Sequence, residues 1–94
     1  MQAVNKIYSL DEQAEKIGLI TGISEEIYFC SISKGSQVYL EKIDSNWVAW
    51  RESFIPNTNK RTNYKIIANG DYDFVLARLK NYLKYIKRNS VKYP

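Results

Sequence analysis

From Asp71 to Arg88 the apolar residues Val75, Leu79, Tyr82, Leu83 and Ile86 recur at helical spacing, and that one stretch dictates much of what the chain can become. A helix over about residues 72–88, with Asp71 as its N-cap, runs roughly 25 Å at 1.5 Å per residue. Its broad apolar face demands an apolar counter-surface of the same length. In a chain of 94 residues a sheet of three or four strands is the economical way to supply one. A chain this short forms one core, so residues 1–94 are expected to make a single domain.

The residues before Asp71 supply that sheet. Glu26–Ser33 is aromatic and β-branched, and Lys34-Gly35-Ser36 follows as a tight turn. Gln37–Ile43 reads as the next strand, Asp44-Ser45-Asn46 as a turn, and Trp47–Ile55 as a third strand closed by Pro56. The polar run 57–63 reads as an exposed basic loop, and Tyr64–Ala68 as a fourth strand. Near the start, Ser9-Leu10-Asp11-Glu12 is a capping box opening a short helix over about residues 10–17, which Gly18 ends. The expectation is an α+β domain in the order α-β-β-β-(β)-α. A short N-terminal and a long C-terminal helix pack against an antiparallel meander, and the sequence leaves open whether both cover the same face.

Composition excludes several kinds of chemistry. The sequence has no histidine, so a His-based triad, a His proton shuttle and a His-containing metal site are ruled out. Its single cysteine, Cys30, cannot form an internal disulfide, sits among apolar neighbours, and reads as an inert thiol in a reducing, cytoplasmic setting. No apolar run reaches the roughly 18 residues of a membrane-spanning helix, and residues 1–6 lack the pattern of a signal peptide. The acids of 11–15 and 71–73 fall at helix starts, where capping and the helix dipole explain them. Glu25 and Glu26 are adjacent in extended chain and point apart. The glycines are scattered, so no phosphate loop is present. No catalytic group, metal or cofactor is expected.

Charge is distributed unevenly. Residues 1–50 carry four basic and seven acidic side chains, a net −3, whereas residues 51–94 carry ten basic and three acidic, a net +7. After Phe74 there are six cations and no acid. Such asymmetry points to an anionic partner. On the long helix Lys80, Lys84, Lys87 and Arg88 lie opposite the apolar face. Phe74, Arg78, Asn81, Tyr85 and Arg88 form a stripe along its edge. With Lys60 and Arg61 in the polar loop, these cations suit nucleic-acid phosphates; the plain structural use of the same residues is a solvated helix face. A second surface is aromatic: Tyr39, Trp47 and Arg51 would stack on bases, anchor a protein partner, or pair across strands to cover the sheet. The leading expectation is a non-enzymatic domain contacting nucleic-acid backbone through its C-terminal helix. The alternative is a protein-interaction module using the aromatic face or a strand edge.

In order and size these elements resemble the double-stranded RNA-binding domain. That family opens its last helix with lysines, whereas Asp71-Tyr72-Asp73-Phe74 is acidic. Residues 36–88, with Trp47-Val48-Ala49-Trp50-Arg51 after a turn, are similar to the three-strand-plus-helix domains at the front of some phage-type integrases. No residue role is carried over from either family.

Overall fold

The computed structural model describes residues 8–91, with side chains through residue 88; Lys92 and the first residues lie outside this range. The chain order is α1 (Leu10–Lys16), β1 (Ile20–Ile23), β2 (Ile27–Ser33), β3 (Ser36–Ile43), β4 (Asn46–Phe54), β5 (Arg61–Gly70) and α2 (Tyr72–Val91). The five strands form one antiparallel sheet in sequential order β1-β2-β3-β4-β5. The α+β layout matches the expectation, with five strands instead of three or four.

Strand β1 is the addition. Its run is only four residues long and holds Gly22, so neither length nor alternation marks it. Pairing shows why the glycine stays: a Cβ at 22 would lie 3.2 Å from both the side chain and the carbonyl oxygen of Ile27. The register shifts between Thr21 and Ile23, the local irregularity that a glycine in a strand allows. The polar segment that reads as a loop is shorter than its composition implies, because β5 already begins at Arg61 and pairs with Phe54.

The α1 capping box forms as expected. The Ser9 hydroxyl accepts from the Glu12 amide at 3.1 Å, and the Ser9 amide donates back to Glu12 Oε1 at 2.9 Å. Gly18 follows at φ +98°, a conformation that releases the chain toward β1. Asp11 does a second job. Its carboxylate accepts from the Tyr28 hydroxyl at 2.5 Å, the Ser24 hydroxyl at 2.6 Å and the Glu25 amide at 3.1 Å, so α1 clamps the β1–β2 turn. These hydrogen bonds, that of Ser24 first, hold the Asp11 carboxyl below its ordinary value of 3.8.

Both helices cover one face of the sheet. Tyr28, Val38, Leu40 and Ala49 point into that face and are buried with Ala14 of α1 and Val75 and Leu79 of α2. Trp47 joins the layers, its ring 6.0 Å from Tyr28 and 4.8 Å, edge-on, from Tyr72. The Tyr72 hydroxyl donates to the Leu10 carbonyl at 2.7 Å, tying the start of α2 to the start of α1. Burial, with the nearby Asp11 and Asp73 charges, pushes the Tyr72 phenol up to about 12.

Two outcomes test this packing. Leu79, fully buried, is expected to cost about 3 kcal/mol when changed to Ala, as large-to-small core changes do, measured by urea unfolding. The depressed Asp11 pKa makes its contribution present above the ordinary carboxylate value and lost as pH falls through the folded one. Asp11→Asn should therefore melt below the parent at neutral pH, and the gap should narrow as pH falls below the ordinary carboxylate value of 3.8.

Candidate functional site

Helix α2 rests on β4 and β5 with Val75 and Leu79 buried beneath it and Leu76, Tyr82 and Leu83 packed around them. Everything on its two flanks is therefore fixed by rotation. On the flank toward α1, Lys80, Lys84 and Lys87 meet Lys16 across a groove of about 250 Å³ floored by Ile17 and Leu83. None of the six lining side chains is a carboxylate. Four formal positive charges along one groove repel each other, and an anion placed among them removes that repulsion. The cleft continues toward the start of α2 past Ala77 to Asp73, so its cationic part is bounded by an acid at one end.

The other flank faces β5. Arg78, Asn81 and Tyr82 line a hollow of about 500 Å³ with Lys65 and Ile67. The Lys65 ammonium lies 5.4 Å from the Tyr82 ring centre, and the Arg78 guanidinium 5.7 Å from that of Phe74. Phe74 and Tyr85 are exposed along the same edge of α2 as Arg78, and Arg88 is exposed beyond the hollows.

The other expected contact residues fall elsewhere. Arg61 lies on the opposite sheet face, where its Nη2 is 2.9 Å from Glu52 Oε1 and its Nε donates to the same oxygen at 3.1 Å. Lys60 sits in the exposed β4–β5 loop, apart from both flanks. Arg51 is held under α2: its Nε donates to Ser36 Oγ and its Nη1 to the Tyr82 hydroxyl, each at 2.7 Å. Trp47 is buried. Tyr39 therefore does not share a surface with Trp47 and Arg51, and the aromatic surface expected from those three is corrected accordingly. The register pairs Tyr39 with Trp50 and Trp47 with Lys42, an offset that alternation within each strand does not reveal.

The aromatic surface that does exist is on the sheet face away from the helices. Ile20, Phe29, Tyr39, Trp50 and Ile66 are register partners in succession across all five strands. Tyr39 and Trp50 stack at 4.2 Å, and Tyr64 adds a third ring 5.3 Å from Trp50. Glu52 is enclosed among these rings, 7% exposed, and accepts from the Tyr39 hydroxyl at 3.2 Å besides its contacts with Arg61. Burial raises the Tyr39 phenol pKa, and the Glu52 carboxylate adds to the effect. The indole Nε1 of Trp50 donates to Glu41 Oε1 at 3.3 Å.

Among the described residues no group of histidine, cysteine or acidic side chains is arranged to hold a metal, and no helix is long and apolar enough to cross a membrane. Burial raises the Cys30 thiol, which keeps it protonated at neutral pH. The fold and surfaces thus define a small α+β domain, a five-stranded antiparallel meander with two helices on one face. Comparison with known protein families, curated proteins and solved structures finds no match to the chain.

Arg61→Ala leaves the enclosed Glu52 carboxylate without its cation. Because Arg61 is itself about half exposed, the loss is expected near 1–2 kcal/mol, below that for a fully buried pair. Glu52→Gln in the same background should recover part of it in urea unfolding.

Proposed function

We propose that this chain is a non-enzymatic binding module that holds a nucleic-acid backbone along α2. The observation that carries the reading is the convergence of Lys16 with Lys80, Lys84 and Lys87 at one groove without a carboxylate among its lining residues. Solvated helix faces usually interleave charges of both signs, and here a second helix brings a further cation to the same flank. Lys65 and Arg78 line the opposite flank. Helix α2 thus forms a ridge about 10–12 Å across with cations on either side. A ridge of that width suits a groove bordered by two phosphate strands. Phe74 and Tyr85, exposed along the Arg78 edge of the ridge, offer rings to unpaired bases. Binding of this kind is electrostatic, sequence-tolerant and strongly dependent on salt.

A second reading, a protein-docking module, is favoured by a different observation: the apolar row Ile20-Phe29-Tyr39-Trp50-Ile66 crosses a sheet face that no described helix or strand covers. Aromatic docking there survives moderate salt, which separates the two readings.

Fluorescence anisotropy of labelled duplex and single-stranded oligonucleotides, titrated from low to physiological salt, tests the first. A log–log slope near −3 to −4 is expected for four or so phosphate contacts on duplex. Lys84→Ala should reduce it by about one, and the triple change Lys80→Glu, Lys84→Glu, Lys87→Glu should abolish binding. Absence of binding at low salt overturns the reading.

A further inference from the structure

The described helices both lie on one face of the sheet, and the other face carries exposed apolar side chains. Antiparallel sheets commonly turn one face to water, and that face is then polar. Here its central row is Ile, Phe, Tyr, Trp, Ile from β1 to β5. Ile20 is 57% exposed, Tyr64 47% and Ile66 45%. A contiguous apolar patch of this kind marks an interaction surface.

We propose that the face is covered by a second copy of the chain, two sheets packing face to face about a two-fold axis. The inference rests on the protein-docking reading and is independent of the cationic grooves. Three observations select this occupant. The first is area. Five strands spaced about 4.8 Å apart, with strands of about eight residues at about 3.3 Å each, span roughly 500–600 Å² per copy. Two such faces clear the roughly 1,000 Å² of total burial that a specific interface needs.

The second is charge. The chain carries +4, yet the open face holds Glu41, Glu52 and Arg61, and Arg61 is spent on Glu52. Its small negative balance repels phosphates, which argues against a nucleic-acid platform there. It also lets two basic chains approach, because the lysines that line the grooves lie on the helix side of the sheet.

The third is symmetry. Isologous contact requires a self-complementary patch. With the two-fold axis along the apolar row, each of its residues meets its own copy. Positions two residues to either side of Tyr39 then exchange, so Glu41 faces Gln37 of the second copy instead of another carboxylate. Tyr39 and Trp50 already stack within one chain, leaving a ring surface for the second sheet about 10 Å above.

Sedimentation equilibrium of the full chain at physiological salt, from about 1 µM to about 500 µM, reads the association directly over the span in which interfaces of this size assemble. The expected result is a concentration-dependent rise from one chain mass to two. Ile66 is nearly half exposed, so Ile66→Lys removes little packing and puts a charge in the row. It should weaken dimerisation at least about tenfold, as should Trp50→Asp, while circular dichroism reports that the fold is kept. Tyr85→Ser, on the helix layer, should leave the dimer constant unchanged. A chain that stays monomeric throughout overturns the second-copy proposal and leaves the docking reading to be carried by a foreign partner. A dimer indifferent to Ile66→Lys and Trp50→Asp, both folded, overturns the assignment of the face itself.

Discussion

The indole of Trp47 lies between Tyr28 of the sheet and Tyr72 of the long helix, and the disposition of the other surfaces follows from that contact. Both phenols extend to α1. The Tyr28 hydroxyl donates to Asp11, and the Tyr72 hydroxyl to the Leu10 carbonyl. Three aromatic side chains and one carboxylate thus fix two helices and a five-stranded sheet relative to one another. Aromatic rings contribute a large buried area with directional polar tips, which is what a small domain needs when it has few core residues to spend. Because α1 is held beside α2 in this way, Lys16 comes to lie opposite Lys80 and Lys84.

Much of this arrangement is legible in the sequence, and the remainder is hidden for definite reasons. The α2 periodicity, the Ser9–Glu12 box and the glycine and Asp-Ser-Asn turns are local signals, set by residues within one or two turns of each other. Strand β1 is not local in this sense. Ile20–Ile23 becomes a strand because β2 is there to pair with it and Gly22 lets Ile27 come close. The cations of α2 are readable because one helix carries them, whereas the contribution of Lys16 depends on which flank of α2 the short helix occupies. Lys65 likewise needs the register of β5.

The aromatic surface shows the same limit most clearly. Alternation assigns Trp47 and Arg51 to one face of β4 and Trp50 to the other, but it does not say which of them shares a face with Tyr39. That is decided by the β3–β4 turn at Asp44-Ser45, where Asp44 adopts φ +57° and sets Tyr39 opposite Trp50. A slip of one residue would exchange the buried and open sets entirely. Charge follows the same division. The helix layer holds the lysines, while the open face holds a carboxylate enclosed among rings and neutralised by Arg61. The chain therefore presents two chemically distinct surfaces on opposite sides of a single sheet.

Register shifts interrupt the pairing of β1 with β2 and of β5 with β4, and they bear on how such a molecule behaves at high concentration. Strands β1 and β5 are the free rims of the sheet. β1 is short and broken by Gly22. β5 departs from regular pairing with β4 at two places and carries Arg61 and Lys65 along its length. Irregular, charged rims are poor templates for another strand. The chain can thus keep a greasy sheet face in water without inviting the end-on growth that turns exposed sheets into fibrils, because growth of that kind needs a straight rim and this fold offers none.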